Sequence, residues 1–120
     1  MTRKGGKYVG QRFPFLDIHR EIEGQTVAVG AMVDSGFAGG VALPRGAFAP
    51  NSPQSGVFRW LIADGRIVES PVFTATLLLG PFDPLPVDVA VMGRVPLLGC
   101  AVLNHFTVVL DHGRRIVVQL

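Results

Sequence analysis

The side chains with most chemistry to offer lie in one stretch, "AMVDSGFAGGVALP" (31–44), where Asp34 stands between an apolar run and a set of glycines. A half-buried strand end is a costly place for a carboxylate. Asp34 is therefore either a turn residue that follows a strand or a group held there as an acid or base. Ser35 does not read as a serine nucleophile, because no Gly-x-Ser-x-Gly setting surrounds it. His19, His105 and His112 are scattered and read as surface or satisfied histidines. Cys100, His105, Asp111 and His112 show no recognised ligand spacing, so neither a metal nor a cofactor is expected. Cys100 reads as a small buried apolar group.

The elements that must position Asp34 alternate with a period of two far more than with a period of 3.6. "FPFLDI" (13–18) starts a strand, and "TVAVGAMVD" (26–34) is a second that leads into Asp34. "GVALP" (40–44) is a short third that leaves it and stops at a proline. Residues 45–56, rich in Gly, Pro, Ser and Asn, read as an exposed loop. "VFRWLIADGRIVESPVF" (57–73) reads as a β-hairpin with Asp64-Gly65 as its turn. Strands follow at 73–80 and 87–93. "PLLGCAVLNHF" (96–106) is the one expected helix, with Leu98, Val102 and Phe106 on one face. Residues 107–120 close the chain as a hairpin with "DHGR" at its tip. The expected fold class is all-β, a small closed or folded barrel with one short C-terminal helix.

Asp-Ser-Gly alone is a weak signal, but its flanks and a later apolar-apolar-Gly element, Leu97-Leu98-Gly99, make an ordered set. On "VDSGFAGGVALP", "LIADGRIVESPVF" and "VPLLGCAVLNHFTVVLDHGRRIVV" the sequence resembles the retropepsin-like aspartic proteases, particularly the single-domain bacterial members. The resemblance covers 13–120 and implies an acid-protease barrel with Asp34 as the catalytic carboxylate. It implies that Ser35, Gly36, Leu98 and Gly99 support the active-site loop, with the Ser35 hydroxyl bonding across a two-fold axis. It implies that the hairpin is a flap whose residues Trp60, Ile62, Ala63, Asp64 and Gly65 close over an extended peptide.

The chain has one such triplet, so two chains must meet to give two carboxylates, and the expected partners are a second copy and a peptide or unfolded protein. Many members of the family it resembles carry Arg, Asp or Asn directly after the late glycine, where it helps brace the active-site loop and dimer; here Cys100 and Ala101 follow it. That bracing is then absent or supplied elsewhere, which keeps an alternative in view: a catalytically inactive peptide-binding or assembly module.

At 120 residues the chain is long enough for one core, and 48% hydrophobic against 17% charged residues argues for a packed domain. Residues 1–12 carry four of the eleven Lys and Arg residues and read as a basic, flexible arm ahead of a 13–120 domain. A nucleic-acid-binding barrel that uses this arm is the weakest reading, since no aromatic-rich basic stripe accompanies it. No apolar run of spanning length or signal peptide is read, and a single cysteine fits a reducing compartment, so a cytoplasmic protein is expected.

Overall fold

Leu16, Ile18, Arg20 and Ile22 are buried while Asp17, His19 and Glu21 between them are exposed, the mark of a strand with one face in the core. In the computed structural model the described residues are 6–22, 24–47 and 54–120. They form strands β1 (Lys7–Gly10), β2 (Phe15–Ile22), β3 (Gln25–Val33), β4 (Val41–Leu43) and β5 (Gly56–Leu61). The chain continues with β6 (Ile67–Leu78), β7 (Leu85–Val91), β8 (Leu97–Leu98), helix α1 (Cys100–Leu103), β9 (Thr107–Asp111) and β10 (Arg115–Gln119). The all-β class expected from the sequence is the class observed.

The larger sheet runs in the order β2-β3-β8-β4-β7-β6-β5, and a further pairing of β2 with β6 joins its two flanks into a circuit. β2 and β3 form a hairpin from Phe15↔Met32 to Ile22↔Gln25, turned by Gly24 at φ +79°, where a side chain would be strained. The last residues of β3 lie parallel to β8, Met32 opposite Leu97 and Val33 opposite Leu98. β8 is antiparallel to β4, so two residues of strand separate the chain entering Asp34 from the chain leaving it. β4 then lies parallel to β7.

Twelve-residue β6 pairs with β5 along its first half, with β7 along its second and with β2 at its end. The sequence splits this segment at 73; the structure makes it one strand.

The smaller sheet, β1-β10-β9, caps the circuit, and Ile116 and Val118 of β10 join Leu16, Ile18, Leu77 and Leu98 in one core. Each fully buried Leu or Ile of this set stabilises the fold by about 1.5–3 kcal/mol relative to exposure. The part of the expected arm from Lys7 to Gly10 is a strand paired with β10, and the Tyr8 hydroxyl donates to the Asp17 carbonyl at 2.5 Å. Residues 1–5 of the arm lie outside the described residues, as do 48–53 of the expected loop, whose described start is a 3-10 turn at Arg45–Ala47.

The expected helix over 96–106 is corrected to α1, four residues long. Leu97 and Leu98 are drawn into strand pairing with β3 and β4, and Gly99 is extended at φ −105°, ψ −177°. Leu98 and Val102 are buried as expected of that face, and Phe106 packs on Phe82 with ring centroids 4.8 Å apart.

Candidate active site

β3 delivers Asp34 to the end of the strand, where its amide donates to the Leu98 carbonyl at 2.9 Å, the last bond of the β3–β8 pairing. The chain turns at once: Phe37 N–H donates to the Asp34 carbonyl at 3.2 Å, and Gly36 N–H donates to Asp34 Oδ1 at 2.9 Å. That second bond orients the half-buried carboxylate. A Cβ at Gly36 would sit 3.2 Å from the same oxygen, so glycine allows the close approach.

The loop after Asp34 is tied to the segment after β8 almost entirely through main chain. Gly99 N–H donates to Gly40 O at 2.7 Å, Cys100 N–H to Phe37 O at 2.8 Å and Ala101 N–H to Gly39 O at 3.1 Å. The first amides of a helix lack partners inside it, and here the carbonyls of the loop satisfy them. The Cys100 thiol adds a bond to the Ser35 carbonyl at 3.1 Å. Within the chain, the loop bracing that the sequence leaves open is therefore supplied by backbone amides and a thiol. Gly99 cannot be anything larger: a Cβ there would overlap the Gly39 carbonyl oxygen and lie 2.7 Å from the Phe37 oxygen.

Over this loop stands the β5–β6 hairpin. Its tip differs from the expected two-residue Asp64-Gly65 turn. Gly65 N–H donates to Ile62 O at 2.9 Å, with Ala63 and Asp64 between them and Gly65 at φ +88°. Three residues, 63–65, thus separate Ile62 from Arg66, the longer hairpin form that needs a glycine at its last position. Asp64 is used internally, accepting from Arg66 N–H at 3.0 Å and pairing with Arg66 Nε at 2.6 Å.

Trp60 faces inward. Its ring lies 5.1 Å from that of Phe37, and its indole N–H donates to Ser70 Oγ, a buried hydroxyl, at 2.7 Å. Gly39 permits this stacking, since a Cβ there would come within 2.6 Å of the Phe37 ring and 2.8 Å of the Trp60 ring.

Between loop and hairpin lies a cleft of about 760 Å³ lined by Asp34, Gly36, Trp60, Ile62 and Ala63. Asp64 and Gly65 do not line it and form the tip. Ser35 faces away, toward a shallower depression of about 250 Å³ that it shares with Cys100, Leu103, Phe106, Val108 and Leu110. Leu98 is buried beneath the loop and fixes it through its carbonyl.

Sequence reasoning missed Phe37, Met92 and Leu97 as part of the cleft. Ala42 and Ala90, small residues in the middle of apolar strands, are the signal that points to them, because they make room on that face for Phe37 and Trp60. Among the described residues no three His, Cys, Asp or Glu side chains converge as a metal site, and His112 instead meets Asp111 at the distant β9–β10 tip.

No protein-family model matches the sequence, and no curated protein matches it. Among solved structures the chain is similar to a retropepsin-like aspartic protease from Rickettsia conorii, with a TM-score of 0.67 and 18% identity over 98% of this chain and 92% of that one. The fold is retropepsin-like. No helix among the described residues is long and apolar enough to cross a membrane.

Proposed function

We propose that this chain is an aspartic endopeptidase that works as a cytoplasmic homodimer, one Asp34 from each subunit forming the catalytic pair. The observation that carries the reading is the Asp34 carboxylate, held by the Gly36 amide at the floor of a cleft roofed by a hairpin. Two carboxylates brought close cannot both ionise readily, so the pair shares a proton. The charged member takes a proton from a water as it attacks the peptide carbonyl, and the protonated member stabilises the developing oxyanion. The C–N bond then breaks and a proton passes to the departing amine.

Dimerisation is supported by the face beside the loop, where Ser35 and Cys100 border the depression that Leu110, 58% exposed, also lines. On this reading Ser35 bonds across the two-fold axis, and Ile62 and Ala63 close on the substrate backbone. An extended peptide in the cleft would pair in strand fashion.

The test compares wild type with Asp34→Asn on an unfolded protein from about pH 3 to pH 7, together with solution mass at micromolar concentration. Asparagine keeps an acceptor for the Gly36 amide, so the fold is retained while cleavage falls at least about a thousandfold. Cleavage that survives the substitution, or a strict monomer that still cuts, sinks the proposal. A dimer that binds peptide and releases no new amino termini is the binding-module alternative.

A further inference from the structure

A second cavity, about 360 Å³, adjoins the Asp34 cleft and shares with it the wall made by Phe37, Ala38 and Trp60. Aromatic rings of Phe37, Phe58 and Trp60 line one side, and Pro86, Ala90 and Ala101 are among the apolar residues that complete it. Asp88 is the one charged residue in that lining. Its position follows from the alternation of β7: Val87 and Val89 enter the main core, while Ala90 joins the Phe37 cluster on the opposite face, which Asp88 shares. Asp88 is exposed, and among the described residues it has no ion pair or side-chain hydrogen bond.

We propose that this cavity is a side-chain pocket selective for a basic residue, lysine or arginine, of the peptide that occupies the cleft. The proposal rests on the peptidase reading for its substrate class, and it adds which side chain the chain selects. A lysine stem would lie along the apolar wall with its charged end carried to Asp88, the way long cationic side chains cover apolar surface. The rings add attraction of their own, because an aromatic face is electron-rich and draws a cation. A neutral aliphatic side chain gains the apolar contact alone, and an acidic one meets a like charge.

Trp60 is the sole tryptophan of the chain, so its fluorescence reports on this wall whether or not anything is cut. The probes are alanine hexapeptides blocked at both ends, with a single lysine moved through the sequence, each matched to the same peptide with norleucine. They are titrated into full-length Asp34→Asn protein. The best lysine peptide should bind roughly tenfold tighter than its norleucine partner, with the advantage shrinking as salt is raised. Asp88→Asn should abolish the difference, and Asp88→Glu should restore most of it.

Equal or tighter binding of the norleucine peptides overturns the proposal. So does a lysine preference that persists in Asp88→Asn. A wild-type protein that cleaves with no preference for basic residues refutes the pocket and leaves the peptidase reading standing. Lysine-dependent fluorescence without cleavage by wild type does the reverse.

Discussion

The loop that carries Asp34 and the hairpin above it face each other across one cleft, yet they are held by different means. The loop is held by four backbone hydrogen bonds to residues 98–101, one thiol bond and a glycine at 99 with no space for a methyl group. The hairpin stands out from the circuit on β6, with Leu61 77% and Ile67 57% exposed, and touches the loop chiefly where Trp60 meets Phe37. A group that must present one carboxylate in one orientation is well served by main-chain bonds of fixed geometry. On the peptidase reading the roof has to admit and release a peptide, and one aromatic contact that can part and reform suits that task. The same cleft thus has a floor tied by main chain and a cover tied to it by one aromatic contact.

The sharpest way to break this contrast is at Gly99. Alanine there has to displace the Gly39 and Phe37 carbonyls, and backbone moves less readily than side-chain tips. Gly99→Ala should destabilise the protein by about 3 kcal/mol in a denaturant titration and abolish any cleavage. A variant of normal stability would show that the loop is not rigidly seated.

On the hairpin side, Ser70→Ala removes the acceptor of the Trp60 indole. The expected loss is about 1 kcal/mol, with amide hydrogen exchange rising in Phe58–Leu61 and staying unchanged across Asp34–Gly40. Equal loosening of both segments would mean that floor and cover are one unit.

The smallest effect is expected outside the cleft, at the β9–β10 tip. There the hydrogen bonds from His112 and then Arg115 hold the Asp111 carboxyl below the ordinary carboxylate range. A lowered carboxyl contributes stability above its unfolded value and loses it as pH falls through the folded one. Wild type should therefore lose slightly more stability than Asp111→Asn between about pH 5 and pH 2. Parallel curves would show that these exposed bonds are dispensable.

Much of the fold was legible because alternation survives in individual strands. Leu16, Ile18 and Ile22 announce β2, and "TVAVGAMVD" runs straight to the carboxylate it positions. Asp34, Leu98 and Gly99 could be singled out because strand, acid, glycine and late apolar pair follow in order. What was not legible is long-range. Nothing local in Leu97-Leu98 says that two residues will wedge between β3 and β4 rather than begin a helix. Likewise Lys7–Gly10 carries basic, terminal composition, and only its pairing with β10 near the other end of the chain makes it a strand. The bracing of the loop stayed open for another reason: the amides of Gly99, Cys100 and Ala101 do the holding, and every residue type but proline has one.

That last property bears on which substitutions the loop can accept. A clasp made of peptide groups asks for an extended Gly99 and a helical start after it, and its carbonyl–amide bonds do not depend on which side chains stand at 100 and 101. A charged side chain in place of the thiol or the methyl there would lose no carbonyl–amide contact. Comparison by residue identity is blind to such a clasp; comparison by shape is not.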